Sequence, residues 1–156
     1  MQFWIILVQE VDMKISTKGR YALRLMLDIA QHDTGEPVRL KDIAERQDIS
    51  MKYLEQIVSA LVKANFLISI RGPQGGYRLS RKPDTYTVGS ILRITEGNLA
   101  PVECLSTEEN TCYRAPMCAT LRIWKELDEA ISSVVDKYTL EDLVSWSSEM
   151  VNNYVI

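Results

Sequence analysis

Three cysteines fall within one short segment of the chain and have the clearest potential for chemistry. Cys104 and Cys112 are separated by seven residues, and Cys112 and Cys118 by five, in a segment that also holds Pro101 and Pro116. Thiolate sulfur is a soft ligand that suits iron–sulfur clusters or zinc, and three thiolates in one loop can converge on a single centre. Such a centre needs a fourth ligand from elsewhere, so the spacing alone leaves three unrelated reduced cysteines as an alternative.

Hydrogen-bonding side chains form a second group, at the start of a predicted helix that follows a short turn. Serine is a good helix N-cap, and the exposed positions of the first two turns are mostly polar. Ser, Lys and Tyr suit phosphate oxygens, Gln suits adenine, and Glu can accept a hydrogen bond from N4 of cytosine. This pattern is typical of a helix in the major groove of DNA, and its predicted contact residues are Ser50, Met51, Lys52, Tyr53, Glu55 and Gln56.

Basic and glycine residues on either side of this helix extend the predicted DNA contacts. Backbone amides and basic side chains at the start of the preceding helix can together hold a phosphate. A glycine-rich hairpin lets the chain approach a minor groove or the DNA backbone closely. The predicted contacts are Lys14 and Arg20 beside the first helix, Arg39 and Lys41 at the second, and Arg71, Gly72, Gln74, Gly75 and Gly76 in the hairpin.

The charge of the chain is divided unevenly along its length. The net charge is −3, yet residues 13–100 carry 14 Lys and Arg against 9 Asp and Glu, whereas residues 101–156 carry 4 against 10. A basic first part followed by an acidic last third is typical of a module that faces a polyanion and carries a separate appendage. Chance segregation of the charges is the alternative interpretation of this asymmetry. For the predicted contact residues, the alternative is a solvated polar face on a small helical domain.

The sequence also indicates the compartment of the protein. The longest apolar run, residues 3–8, is far shorter than the ~20 residues that span a bilayer, and it lacks the flanking features of a signal peptide. We therefore expect a cytoplasmic location, reduced thiols and no membrane partner. Residues 1–12 fit poorly with the domain that follows, so we expect them to be an extension and Met13 to be the natural start.

Hydrophobic periodicity and turn signals predict a mainly α fold with a small β-wing. We expect a winged helix-turn-helix over residues 13–82, a connecting helix over 83–100, the cysteine loop over 101–118, and a long helix plus a C-terminal helix over 119–156. The three glycines of residues 72–76 are expected to supply the positive φ angles of a tight hairpin. The predicted elements are a helix from Lys18 capped by Thr17, helices 40–47, 51–64, 88–96, 119–137 and 139–152, and strands 66–71 and 77–79.

Three motifs, in order along the chain, resemble a known family. Residues 13–23 (MKISTKGRYAL), 49–56 (ISMKYLEQ) and 71–77 (RGPQGGY) are similar to the Rrf2 family of bacterial transcriptional regulators, closest to its iron–sulfur-cluster regulator (IscR-like) branch. The resemblance implies a homodimer, often a repressor, whose long helix crosses between subunits. It also implies a palindromic operator in double-stranded DNA. Base contacts are implied at Ser50, Tyr53, Glu55 and Gln56, and a wing contact at Arg71.

The resemblance extends to the cysteines, because cluster-binding members of the family carry three of them just before the long helix. It implies an iron–sulfur cluster, of the 2Fe–2S type, on Cys104, Cys112 and Cys118. The first spacing here is longer than in that branch, and Leu121 stands where the branch has a histidine as fourth ligand.

The fourth ligand is therefore left open by the sequence. Related sensors of nitric oxide use an acidic residue near the N-terminus, where this chain has Arg20, which cannot bind a metal cation. His32, the single histidine, is expected to be a surface residue at the end of the first helix. The remaining candidates are a small thiol and the acidic residues Glu103, Glu108 and Glu109.

Three other functions compete with the cluster-sensing regulator. The same DNA-binding role could be controlled by a partner protein or by thiol oxidation, as in the cysteine-metabolism branch of the family; the partner would then be a cysteine-metabolism enzyme or RNA polymerase. A winged protein-interaction module without DNA is the second. An enzyme is the third, and we expect none, because the histidine is remote in sequence from the cysteines and no phosphate-binding glycine loop precedes a helix.

Overall fold

Six α-helices and one two-stranded antiparallel sheet make up residues 14–154, the part of the chain that this computed structural model describes. The expected extension over residues 1–12 and the start at Met13 fall outside that part. Single turns of 3₁₀ helix occur at Pro83–Thr85, Glu103–Leu105 and Ala115–Met117. The elements are α1 (Thr17–Gln31), α2 (Leu40–Gln47), α3 (Met51–Lys63), β1 (Leu67–Ile70), β2 (Gly76–Leu79), α4 (Val88–Glu96), α5 (Leu121–Lys137) and α6 (Leu140–Tyr154).

Helix α1 lies at the centre of the core because its apolar residues recur with helical spacing. Its buried side chains are at most 1% exposed, and the helix contacts α2, α3, α4 and α6. Helices α2, α3, α4 and α6 and strand β1 add further buried side chains. The core comprises Ala22, Leu25, Met26, Ile29, Val38, Ile43, Ile49, Leu54, Ile57, Val58, Leu61, Leu67, Tyr86, Ile91 and Leu140. The predicted class, mainly α with a small β-wing, is confirmed.

The predicted start of α1 is wrong by one residue. The N-cap is Ser16 rather than Thr17: its Oγ accepts a hydrogen bond from the backbone N–H of Gly19 at 3.1 Å. Ser16 has extended backbone angles, whereas Thr17 already belongs to the helix. The same serine hydroxyl donates to Glu96 Oε1 at 2.6 Å, which ties the start of α1 to the end of α4.

The remaining helix boundaries agree with the prediction or shift by up to two residues. Helices α2 and α4 have the predicted bounds, α3 ends at Lys63, and α5 begins at Leu121. A capping box is present at α6, where the N–H of Thr139 donates to Asp142 Oδ2 at 2.8 Å and the N–H of Asp142 donates back to Thr139 Oγ1 at 3.3 Å.

The wing is a hairpin in which β1 and β2 pair from Leu67 opposite Leu79 to Ile70 opposite Gly76. The expectation that all three hairpin glycines supply positive φ angles is wrong. Only Gly72 has a positive φ, of 113°. At Gly75 a Cβ would lie 2.3 Å from the carbonyl oxygen of Ile70. Glycine is needed at position 75 because the backbone of Ile70 lies too close for a side chain, and not because the residue has a left-handed conformation.

Helix α5 differs from the others because it contributes no buried side chain among the described residues. Its apolar face includes Ile123 and Val134, which are 59% and 56% exposed. A groove of about 630 Å³ separates this face from the end of α4 and the segment before α1, with Leu99 and Ile131 on its walls. Within residues 14–154, no helix has the length and apolar character to cross a membrane.

Candidate nucleic-acid interface

Helix α3 divides into a buried and an exposed side. Leu54, Ile57, Val58 and Leu61 are buried against the core, whereas Glu55, Gln56 and Ser59 on the opposite side of the helix are exposed. Ser50 caps the helix, because its Oγ accepts a hydrogen bond from the N–H of Tyr53 at 3.3 Å. The predicted contact residues on the outer side are Ser50, Met51, Lys52, Glu55 and Gln56, which are exposed, and Tyr53, which is half-buried.

A buried carboxylate holds the end of α2, immediately before this helix. Asp28 on α1 is 1% exposed and accepts hydrogen bonds from the Arg46 guanidinium, the shortest of them 2.6 Å long. Gln47 Nε2 donates to the same carboxylate at 2.9 Å. An unpaired buried charge would be costly, and these bonds compensate it. The hydrogen bonds that Arg46 donates to Asp28 raise the pKa of the Arg46 guanidinium.

The turn between α2 and α3 depends on one left-handed residue. Asp48, the C-cap of α2, has a φ of 52°, and Ile49 behind it is buried in the core. Aspartate tolerates this conformation better than most residues with a Cβ. The turn and the Asp28 contacts together fix where α3 begins. Asp28 and Arg46 are not among the residues predicted from the sequence, where the available signal was a charged residue on the apolar side of α1.

The wing is joined to the segment before α2 by backbone hydrogen bonds. The N–H of Val38 donates to the carbonyl oxygen of Tyr77 at 2.9 Å, and the N–H of Tyr77 donates back at 2.8 Å. Gly76 lies so close that a Cβ would be 2.3 Å from the carbonyl oxygen of Val38. Arg39 Nη2 donates to Gln74 Oε1 at 2.9 Å. Two predicted DNA contacts, Arg39 and Gln74, are therefore hydrogen-bonded to each other.

The outer side of α3 and the wing border one groove of about 370 Å³. Its walls include Glu55, Ser59 and Lys63 from α3 and Ser69 and Tyr77 from the wing. Ser59 and Lys63 are exposed and continue the polar side of the helix, four and eight residues after Glu55. The contacts predicted on α3 from the sequence end at Gln56 and do not include Ser59 or Lys63, although helical spacing from Glu55 indicates both.

The other predicted DNA contacts are spread over the surface of the same domain. Lys14, Arg20, Lys41, Arg71 and Gly72 are all exposed. Arg20 Nη2 donates to Thr17 Oγ1 at 3.0 Å, so this arginine is held against the first turn of α1. Gly75 and Gly76 are half-buried and shape the wing.

The cysteine loop does not gather its thiols into a metal-binding group. Cys104, Cys112 and Cys118 are half-buried free thiols. Across residues 14–154, no group of three or more His, Cys, Asp or Glu side chains is arranged to hold a metal ion. The donor types fit an iron–sulfur cluster or zinc. The arrangement does not, so the loop in this conformation would have to change before its sulfurs could bind one centre.

Local hydrogen bonds hold two of these cysteines. The N–H of Cys112 donates to Asn110 Oδ1 at 2.9 Å. The Nδ2 of Asn110 is buried without a hydrogen-bond partner among the described residues. Cys118 Sγ lies 3.3 Å from Thr120 Oγ1. A hydrogen bond from this hydroxyl is the main cause that lowers the pKa of Cys118, which favours its thiolate form.

The single histidine is a surface residue, as expected. His32 has 44% of its side chain exposed, and its Nδ1 lies 2.8 Å from the carbonyl oxygen of Asp28 at the end of α1. Glu103, Glu108 and Glu109 are also exposed. None of these four residues belongs to a metal-binding group within residues 14–154.

Comparison with known proteins gives consistent matches. The profile of the Rrf2 family, described as an iron-dependent transcriptional regulator, matches residues 15–145. The transcriptional regulator IscR of Aliivibrio salmonicida is 43% identical over 132 residues, which are 85% of this chain and 77% of IscR. The transcriptional regulator CymR of Bacillus subtilis is 44% identical over 135 residues, which are 86% of this chain and 92% of CymR.

A solved structure extends the similarity to the fold. The structure of B. subtilis CymR, described as a global cysteine regulator, superposes with a TM-score of 0.70 and 43% identity, covering 85% of this chain and 97% of CymR. These relatives are transcriptional regulators, so the expectation that the protein is not an enzyme is confirmed. Because the family profile covers most of the chain at these identities, the chain belongs to the Rrf2 family of DNA-binding transcriptional regulators.

Proposed function

We propose that the protein is a cytoplasmic, homodimeric repressor that binds a palindromic operator and responds to an iron–sulfur cluster. The observation that carries the DNA-binding part is the exposed polar side of α3, which lies beside the wing across one groove. A helix with this side in the major groove and a wing against the strands would read one half-site. Residues 13–82 would form the DNA-binding domain and residues 83–100 its connection to the rest.

Individual contacts follow from side-chain chemistry. Gln56 can form two hydrogen bonds with adenine, and Glu55 can accept from cytosine, so these two residues would read bases. Lys52, Arg71 and Lys41 would contact phosphates, which fixes position without reading sequence. The same reasoning applies to Ser59 and Lys63, which we add to the proposed contact set because they continue the polar side of α3.

Dimerisation through α5, within residues 119–156, is supported by the lack of any buried side chain on this helix among the described residues. An amphipathic helix of 17 residues with an exposed apolar side gains stability when a second copy covers that side. The α3 helices of the two subunits would then face half-sites that lie about one turn of the DNA double helix, ~34 Å, apart.

Residues 101–118 would act as the sensor. Cys104, Cys112 and Cys118 would supply three thiolates, and the fourth ligand is left open. The cluster, when bound, would supply sensitivity to oxidants and to iron supply. Because Cys118 lies three residues before Leu121, the first residue of α5, a change of this loop would reach the dimerisation helix directly.

A second form of control is favoured by a specific observation. The identity to CymR equals that to IscR within one percentage point, and the pKa of Cys118 is lowered by its hydrogen bond with Thr120. Thiol oxidation, or a partner such as a cysteine-metabolism enzyme or RNA polymerase, would then control operator binding without a cluster.

DNA binding is tested by selection of duplexes from a random pool with the wild-type protein. We expect one palindromic sequence to be enriched, and Gln56→Ala to weaken binding to it by about 1–3 kcal/mol while leaving random-sequence DNA unaffected. Glu149→Gln on α6 is the control. Failure of the wild-type protein to enrich any sequence contradicts the proposed function.

Cluster binding is tested by anaerobic purification with analysis of iron, sulfide and visible absorbance. We expect each of Cys104→Ala, Cys112→Ala and Cys118→Ala to remove the absorbance and to leave the thermal unfolding transition in place. A colourless protein without iron or sulfide, whose operator affinity changes on thiol oxidation, supports the second form of control instead.

A further inference from the structure

A continuous set of contacts links the end of α2 to α1. Gln47 uses both atoms of its side-chain amide: Nε2 donates to Asp28 at 2.9 Å, and Oε1 accepts from Arg24 Nε at 3.0 Å. A guanidinium only donates and a carboxylate only accepts, so the amide has one orientation. Arg24 Nη2 also donates to the carbonyl oxygen of Gln47. The guanidinium of Arg24 is thus held at two points.

The same guanidinium continues the contacts toward α3. Its carbon Cζ lies 5.2 Å from the centre of the Tyr21 ring, and the Tyr21 ring meets the Tyr53 ring edge to face, with centres 5.5 Å apart and an interplanar angle of 88°. Both arrangements are attractive. Arg24, which is exposed, therefore supports the ring of Tyr53 on α3 through Tyr21.

We infer that Arg24 is a positioning residue for DNA recognition, which acts through Tyr21 to hold the Tyr53 hydroxyl where it meets the duplex. The inference rests on the proposed function, because it takes Tyr53 to contact DNA. Lysine at position 24 would keep the charge. It could not bond both oxygens of Gln47 in the fixed geometry of a guanidinium, so the Tyr21 ring would lose its support.

A double-mutant cycle tests this inference. Arg24→Lys and Tyr53→Phe are made singly and together, and binding is measured on the duplex of about 30 base pairs that the wild type selects, long enough for two half-sites. We expect Arg24→Lys to weaken binding about three- to tenfold, the size of an aromatic pair interaction, and to have almost no effect when Tyr53 is already Phe. Arg122→Lys on α5 is the matched control.

A second variant, Tyr21→Leu, tests the same link between Arg24 and Tyr53, and thermal unfolding checks that each variant is folded. Tyr21→Leu keeps an apolar side chain but removes the ring between Arg24 and Tyr53, so it should show the same dependence on Tyr53. Thermal unfolding of each variant is measured alongside, and Arg24→Lys should remain folded because it leaves the Asp28–Arg46 contacts in place.

Three outcomes overturn the inference. The first is equal weakening by Arg24→Lys in both Tyr53 backgrounds, which would mean that Arg24 acts independently of Tyr53. The second is unchanged binding by Arg24→Lys and Tyr21→Leu, although Tyr53→Phe weakens it; the proposed function then stands without the inference. The third is that the wild type selects no sequence, which removes the proposed function together with the inference.

Discussion

Lys52 and Gln56 lie one turn apart on the exposed side of α3, and their side chains differ in what they can distinguish. An ammonium is a compact charge that neutralises a phosphate on any sequence. An amide carries donors and an acceptor that match one base edge. Neighbouring positions on one helix can therefore contribute affinity and specificity separately.

The proposed phosphate contact of Lys52 leads to a prediction for Lys52→Ala. Binding to selected and random DNA should weaken to the same degree, and the slope of log affinity against log salt should become shallower by about 1, because one counterion fewer is released. Titration at several salt concentrations measures both. Lys125→Ala, an exposed lysine on α5, should leave the slope unchanged. A loss confined to the selected sequence would contradict the assignment of Lys52 to phosphate.

Among the elements, the wing depends on a close approach of two backbones. Gly76→Ala should destabilise the protein by roughly 1–3 kcal/mol, because its Cβ would overlap the carbonyl oxygen of Val38 and displace the wing. DNA affinity should fall as well. Gly35→Ala is the matched control: Gly35 has a φ of 91° but nothing within 4 Å of its added Cβ, so its cost is conformational only. Denaturant unfolding compares the two, and equal DNA binding by both variants would count against the role of the wing.

Helices α4 and α5 are joined by a bidentate ion pair. Arg93 Nη1 and Nη2 donate to Asp136 at 2.6 and 2.9 Å, and this hydrogen bonding is the main cause that lowers the pKa of Asp136. A carboxyl whose pKa is lower in the folded state stabilises the fold at any pH above its unfolded-state pKa of about 3.9. This stabilisation is lost as the pH falls through the lower pKa of the folded state.

The ion pair predicts a pH-dependent effect of Asp136→Asn. The variant should have a lower melting temperature than the wild type at pH 7, and the difference should disappear in acid once the pH lies below the lowered pKa of Asp136, where the wild-type carboxyl is protonated too. Because both side chains are partly exposed, a shift of only a few degrees is expected. Glu126→Gln, in the more exposed Arg122–Glu126 pair, should change little at either pH. A difference that persists in acid would contradict this origin.

Most of the helical architecture could be predicted from the sequence because its signals are local. Apolar periodicity and a hydroxyl N-cap mark α3 and α4, and both caps, Ser50 and Thr87, accept the hydrogen bonds of the first turn. At α1 two adjacent hydroxyl residues compete for the cap. Ser16 takes it because its hydroxyl also donates to Glu96, a contact 80 residues away in sequence.

The parts that could not be predicted depend on contacts between distant residues. The pairing of Val38 with Tyr77 joins two segments that carry no pattern linking them. In the sequence, Asp28 is a single charged residue within a predicted helix. The hydrogen bonds that it accepts from Arg46 and Gln47 form only in the folded chain. The cysteine loop has no periodicity, so the sequence indicated which thiols it holds but not their arrangement.

At the scale of the whole molecule, α5 leads to a prediction about assembly. Val134 is 56% exposed in the single chain, so Val134→Glu should leave the fold of one subunit intact while placing a charge in the proposed dimer interface. The dimer should dissociate, operator affinity should fall, and sedimentation should report a monomer. Ser133→Glu adds the same charge at the adjacent exposed position and serves as control. A dimeric Val134→Glu protein would place the interface elsewhere.

The two backbone hydrogen bonds between Val38 and Tyr77 lead us to expect that the protein tolerates insertions at some positions and not at others. Pro73 and Gln74 lie in the exposed hairpin turn, beyond the paired strands, so a longer or recoded turn would change the reach of the wing without loss of a buried contact. One residue inserted beside Val38 would instead shift the register of its pairing with Tyr77. We therefore expect changes of sequence and length that alter DNA preference, whether engineered or evolved, to occur mainly in the hairpin turn.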